Sequence, residues 1–202
     1  MKKLWLFLIL AAMVAQGDVG VLAQSLVDRP DVTRQEAITR LTQLIDFYNI
    51  DLTEAEEDRV ITVCRQIQSN NLEPLRSKTE DLAATYEATV NSVELTVGFI
   101  ANSLREMSED ASGMDLVIFH LQRDTRELQE SVEIYQRVLD EVLIIDCQVF
   151  PEAFTAGLTE ARERARVVEA DAQDIKNTLD EELSQSLSNV RSRIQAIEGR
   201  AQ

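Results

Sequence analysis

The apolar positions after residue 74 form three long series with helical spacing. Each series advances in steps of three and four residues, the heptad pattern of helices that pack side by side. The three series are Tyr86, Val90, Val93, Val97, Ile100, Leu104, Met107; Ile118, Leu121, Thr125, Leu128, Val132, Tyr135, Leu139, Val142, Asp146, Val149; and Leu158, Ala161, Ala165, Val168, Ala172, Ile175, Leu179, Leu183, Leu187, Val190, Ile194, Ile197.

Two interruptions separate the series. Residues 108–113 are small and acidic and predict a turn, and Pro151 ends the second series because the residue before proline is pushed out of the helical region. Within the third series, two consecutive steps of four between Leu179 and Leu187 predict a stutter, a local unwinding of the supercoil. Long helices joined by short connections must lie antiparallel.

Two short helices are predicted before these series. Thr33 and Glu36 have capping-box spacing, as do Thr53 and Glu56, so each pair predicts a helix start. The first helix is expected to stop near Asn49 and the second at Ser69-Asn70-Asn71. The prediction is an all-α fold: an elongated antiparallel bundle of three long heptad-patterned helices, with two short N-terminal helices at one end.

The first 23 residues have the pattern of a secretory signal peptide. Lys2 and Lys3 precede an apolar run that is too short to span a bilayer, and small residues follow. Cleavage sites fit after Gly17 and after Ala23, and the second is preferred. We therefore expect a secreted protein with short helices in 24–73 and the bundle in 74–202, together one folding unit over 24–202.

The charge balance is strongly acidic, with 36 Asp and Glu against 20 Lys and Arg and a net charge of −16. Such a chain repels nucleic acid and anionic lipid headgroups. A hydrophobic content of 45% nevertheless suffices for a core. After residue 23 only Lys78 and Lys176 are lysines, so nearly all positive charge is arginine, the side chain better suited to pairing with carboxylates.

Cys64 and Cys147 are the only cysteines in the sequence. In an oxidising compartment, two cysteines are most simply one disulfide. The antiparallel register places residue 147 level with about residue 75, close to the second short helix. A pair of buried thiols and an intermolecular bridge remain alternatives.

Residues with recognisable catalytic, cofactor-binding or metal-binding arrangements are absent from the sequence, and no such site or cofactor is predicted. His120 is expected to be a solvated surface imidazole, and the carboxylates are expected on solvated faces opposite the apolar series. Asp146 occupies a core position near a helix end, where local exposure is expected. The aromatic residues Phe47, Tyr48, Phe150 and Phe154 are expected to pack the foot of the bundle.

The signal peptide, the two distant cysteines and the amphipathic helices give the chain a general resemblance to secreted insect helical proteins with the tsetse EP-type domain. The segments Val63-Cys64-Arg65 and Asp146-Cys147-Gln148-Val149-Phe150 depart from the richer cysteine pattern of that group. The resemblance implies an extracellular insect protein, and it carries no functional residue across.

Two function classes follow, neither of them enzymatic. The first is a secreted interaction or structural protein whose acidic helical surface binds another protein. A second copy of the chain is an alternative partner, because exposed heptad series can join chains as coiled coils, although the closely spaced turns favour closure within one chain. The second class is an amphipathic lipid carrier of the apolipoprotein kind. A disulfide and a scarcity of lysine disfavour it.

Overall fold

The computed structural model describes residues 33–200, which are organised into helices joined by turns. The predicted signal peptide, residues 1–23, and residues 24–32 lie outside the described residues. The helices are α1 (Arg34–Tyr48), α2 (Glu54–Ile67), α3 (Glu73–Glu106), α4 (Ser112–Ile144), α5 (Pro151–Asn177) and α6 (Leu183–Arg200). Four of them, α3 to α6, are long, whereas the sequence pattern predicted three.

Both predicted capping boxes are present. Thr33 Oγ1 accepts a hydrogen bond from the Glu36 amide (3.3 Å), while the Glu36 carboxylate accepts from the Thr33 amide (3.0 Å). The Thr53 amide likewise donates to the Glu56 carboxylate (2.9 Å). Asn49 ends α1 in the left-handed conformation at φ 51°. The asparagine side chain tolerates this conformation better than most residues.

The predicted end of the second helix at Ser69-Asn70-Asn71 was wrong. The chain continues from α2 into α3 through a π-helical turn, Gln68–Leu72. One wide turn keeps the backbone hydrogen-bonded while it accommodates residues of poor helix propensity. The turn also places the Gln68 side chain at the C-terminal end of α4.

The stutter in the third series corresponds to a second π-helical turn, Thr178–Glu182, which divides the predicted last helix into α5 and α6. A π-helical turn adds a residue to a helical turn, so the apolar series shifts around the helix at this point. This division accounts for the fourth long helix.

The turn between α3 and α4 occupies residues 107–111, with Ser108 at φ 59°, whereas the sequence predicted it at 108–113; Ser112 and Gly113 already belong to α4. Helix α4 also ends earlier than predicted, at Ile144, so Asp146 and Val149 of the second series lie beyond it.

Helix α4 lies at the centre of the fold and contacts α1, α3, α5 and α6. Its antiparallel pairing with α3 is marked by Arg76 with Asp140 at one end and Arg105 with Asp115 at the other. One large hydrophobic cluster extends from the disulfide along α4 to Val117, and a smaller one lies near the α3–α4 turn. The smaller cluster consists of Val97, Ala101, Leu104, Ala111 and Met114.

Candidate functional site

The structure brings Cys64 and Cys147 to disulfide-bonding distance, with their Cα atoms 6.0 Å apart, as the sequence predicted. The pair joins α2 to the segment between α4 and α5. We call this region the disulfide end, comprising α1, residues 64–72, residues 141–150 and the first turns of α5. Both cysteines are buried and belong to the large core cluster.

The Gln68 side chain caps the C-terminal end of α4 beside the disulfide. Its Nε2 group lies 2.8 Å from the Val142 carbonyl oxygen, 3.2 Å from that of Leu143 and 3.0 Å from that of Ile145. The last carbonyls of a helix have no partner within the helix, so a side-chain donor replaces the missing amides. The π-helical turn therefore supplies a cap to a helix that lacks its own.

Two buried carboxylates attach α1 to the bundle, contrary to the expectation that the carboxylates lie on solvated faces. Glu141 of α4 is buried and accepts a hydrogen bond from Arg40 Nε (2.6 Å). Burial raises the pKa of Glu141, and the nearby Arg40 only partly offsets this rise. The Glu141 carboxylate is therefore poorly solvated, and its charge depends on the ion pair with Arg40.

Glu160 of α5 is the second buried carboxylate. It accepts hydrogen bonds from the Tyr48 hydroxyl and from Arg164 Nε, the latter at 2.7 Å. Burial acts to raise the pKa of Glu160, but these two hydrogen bonds and the positive charges of Arg164 and Arg40 together outweigh it, and the pKa is lowered. Burial and the Glu160 hydrogen bond raise the pKa of Tyr48 to about 12.

A third buried carboxylate lies at the π-helical turn between α5 and α6. Asp124 of α4 accepts hydrogen bonds from Thr178 Oγ1 (2.9 Å) and from Arg123 Nε (2.8 Å). One turn away along both elements, His120 Nδ1 lies 2.6 Å from a Glu182 oxygen. His120 is therefore half-buried and joins two helices, and its prediction as a solvated imidazole was wrong.

A second apolar series in the sequence could have revealed some of these buried positions. Val117, Leu121, Leu128, Tyr135, Val138, Val142 and Ile145 are buried, and Asp124 and Ser131 complete their spacing of three and four. Helix α4 needs two such faces because it packs against several neighbours. No comparable signal in the sequence marks Glu160 as a partner of Tyr48.

The other residues named from the sequence have mixed outcomes. Phe154 is buried and Phe150 packs against the core, but Phe47 is 75% exposed, so its assignment to the packed foot was wrong. Asp146 is half-exposed and lies 3.4 Å from Arg34, in line with the local exposure expected for it.

Several large apolar side chains are exposed away from the disulfide. On α3 they are Leu95 and Phe99, and on α4 they are Leu116 and Phe119. On α6, Leu187, Ile194 and Ile197 are each more than a third exposed, although they belong to the predicted core series. We call this region the hairpin end, comprising residues 93–121 and α6.

Within residues 33–200, no group of three or more His, Cys, Asp or Glu side chains is arranged to hold a metal ion. The helices of this part of the chain also include none that is long and apolar enough to cross a membrane.

Comparison with known proteins adds no functional residue. The chain matches no protein-family model, and neither curated proteins nor solved structures gave a match.

Proposed function

We propose that this chain is a secreted, acidic helical protein that acts by binding another protein through its carboxylate-rich surface. The supporting observation is the pairing of its charged side chains within the molecule. Many arginines are already paired with carboxylates of the same molecule: Arg34, Arg40, Arg76, Arg105, Arg123, Arg164, Arg166 and Arg193.

The acidic surplus consequently remains on the outer surface. Exposed carboxylates on α4 are Glu127, Glu130 and Glu133, and those on α5 and the following turn are Glu169, Asp174 and Asp180. A surface of this kind attracts a positively charged partner and accelerates its association. The partner class is therefore a basic protein of an extracellular fluid. The resemblance to insect proteins extends the proposal to gut, haemolymph or reproductive fluid.

Carbodiimide crosslinking in the native extracellular fluid tests this proposal, because the reagent joins carboxylates directly to lysines. The chain has few lysines of its own, so crosslinks formed by its carboxylates report mainly the lysines of a partner. We expect reproducible crosslinks to one protein that weaken as salt is added.

Two variants with equal charge changes locate the surface. One carries Glu127→Gln, Glu130→Gln and Glu133→Gln, and the other carries Glu169→Gln, Asp174→Asn and Asp180→Asn. We expect one variant to lose the crosslinked partner while the other retains it. Equal crosslinking by both variants, unaffected by salt, would contradict binding through the acidic surface.

The alternative function, an amphipathic lipid carrier, is favoured by the exposed apolar residues at the hairpin end. It requires the helices to turn their apolar faces toward lipid, and the bond between Cys64 and Cys147 opposes this opening at the other end. Mixing the chain with phosphatidylcholine vesicles distinguishes the two functions. Clearing of turbidity with a rise in helicity supports the carrier, and unchanged vesicles support the interaction protein.

A further inference from the structure

The outer face of α3 differs from the rest of the surface because it carries no charge over several turns. Between residues 82 and 104 the only charged residues are Glu87 and Glu94. Glu94 faces α4, where it accepts a hydrogen bond from Gln122 (3.4 Å), and Glu87, seven residues earlier, lies on the same side of the helix. The opposite side is thus uncharged.

This uncharged side presents a second heptad series, opposite the core series of α3. Its members are exposed and advance by three and four residues: Ala88, Ser92, Leu95, Phe99 and Asn102. Leu95 and Phe99 are its largest side chains and are 78% and 73% exposed. With Ala84 included, the face reaches about 28 Å along the helix at 1.5 Å per residue. No other described helix covers it.

Gly98 beside this face has no role within the described molecule. A glycine in the middle of a helix costs about 1 kcal/mol relative to alanine. A Cβ atom added at Gly98 would meet nothing within 4 Å, so the missing side chain makes room for no neighbour of its own chain. A position without a side chain beside Leu95 and Phe99 allows another helix to approach closely.

Charge decides which partner fits this face. The chain has a net charge of −16, so two copies that meet through their carboxylate-covered faces repel each other. The uncharged face of α3 allows a second copy to approach with no carboxylates facing each other at the contact, which reduces that repulsion. A basic partner, in contrast, gains nothing from a surface without carboxylates.

We propose that the outer face of α3 is a self-association surface, on which a second copy of this chain docks its own α3 in antiparallel orientation. Leu95 then lies against Phe99 of the partner subunit on both sides of a two-fold axis near residue 97, and Ser92 lies opposite Asn102. Antiparallel pairing also keeps the acidic turn at Glu109 and Asp110 of one copy far from that of the other. This inference does not rest on the basic partner proposed above.

Sedimentation of the disulfide-bonded chain over a wide concentration range tests the proposal. We expect a monomer at low concentration and a dimer at high concentration. The variant Leu95→Gln with Phe99→Gln should raise the dissociation constant roughly tenfold or more, because central apolar residues dominate helix-mediated interfaces. The matched control, Leu116→Gln with Phe119→Gln, removes two similarly exposed residues from α4 and should leave the dimer unchanged.

A mixture of two single variants tests the antiparallel register. Leu95→Glu in one copy and Phe99→Lys in another should each weaken self-association, while the mixture forms a heterodimer because the new charges face each other. Added salt should leave the wild-type dimer intact, in contrast to the salt-sensitive binding of a basic partner. A monomer at every concentration, or equal weakening by the α3 and α4 double variants, overturns the proposal. Failure of the mixture to form a heterodimer overturns the antiparallel pairing.

Discussion

The disulfide end and the hairpin end bury the same heptad pattern to different extents. Val142, near the disulfide, is fully buried, whereas Leu187 on α6 is 39% exposed, although both belong to the predicted core series. At the disulfide end, α1 packs against α4 and α5 and closes the core. At the hairpin end no equivalent of α1 exists among the described helices, and the apolar positions remain partly open.

The difference shows what a heptad series predicts. It gives the side of the helix that faces other helices, but the number of helices that surround this side decides how far each residue is buried. An additional helix also permits buried charge. Glu141 and Glu160 are buried because Arg40 and Tyr48 of α1 reach them. The comparison leads to four stability predictions.

Removal of the disulfide should have the largest effect. The bond closes a loop with a sequence separation of 83. For a loop of this length the chain-entropy model gives about 4 kcal/mol of stabilisation. We expect the Cys64→Ala, Cys147→Ala variant to lose a free energy of unfolding of this order in urea. A loss below about 1 kcal/mol would show that the packing of α1 and α2 holds the disulfide end without the bond.

The ion pairs provide a matched comparison between the two ends. Arg40→Met retains the aliphatic stem but leaves Glu141 buried without its partner. Breaking a fully buried pair costs about 3–5 kcal/mol, and since the Arg40 side chain is 35% exposed we expect about 2 kcal/mol here. Arg105→Met at the hairpin end breaks a pair that is half exposed on both sides and should cost less than about 1 kcal/mol. Urea denaturation measures the free energy of unfolding of both variants, and equal losses would contradict the comparison.

Much of the fold was predictable from the sequence. Capping boxes identified the starts of α1 and α2, the small and acidic residues after Met107 marked the turn between α3 and α4, Pro151 marked the start of α5, and the two cysteines were paired correctly. These features depend on residues near each other in the sequence, or on a choice with few options. The stutter after Leu179 was also visible, although the sequence did not show that a π-helical turn would divide the helix there.

The errors have a common physical origin. Asn70 and Asn71 favour a helix end locally, yet the chain remains helical because Gln68 and Leu72 make tertiary contacts at the disulfide end. His120 was assigned by its helical position and Phe47 by its aromatic character, and the exposure of each depends on which distant element lies nearby. The buried network of Tyr48 and Glu160 joins residues 112 positions apart, and no local pattern reports such a contact.

Gly98 and Gly157, which both lie within helices, should respond in opposite directions. A Cβ atom at Gly157 would lie 2.5 Å from Val142 Cγ2 and 3.0 Å from Leu41 Cδ2, so Gly157→Ala forces the α4 and α1 side chains away from α5. Overpacking costs about 1–3 kcal/mol, partly offset by the helix propensity of alanine, and a net loss of about 1 kcal/mol is expected. Gly98→Ala meets no neighbour and should gain up to about 1 kcal/mol. Thermal denaturation at low protein concentration would contradict this if both changes were stabilising.

A small effect should come from Tyr48→Phe, which removes only a hydroxyl group from α1. Near neutral pH, loss of the hydrogen bond to Glu160 should cost about 1 kcal/mol. The folded pKa of Tyr48 is about 12, above its ordinary value of 10.0, so the protonated phenol stabilises the fold fully below pH 10. This contribution is lost as the pH rises toward 12.

The wild type should therefore lose stability between pH 10 and 12 more steeply than Tyr48→Phe, and the two curves should converge there. Tyr135 serves as the control, because burial alone raises its pKa and none of the described hydrogen bonds joins its hydroxyl to a carboxylate of α5. Some alkaline loss must remain in Tyr48→Phe for this reason. Parallel curves for the wild type and Tyr48→Phe would mean that the hydroxyl does not hold α1 against Glu160, and that α1 is held by its apolar contacts and by the Arg40–Glu141 pair.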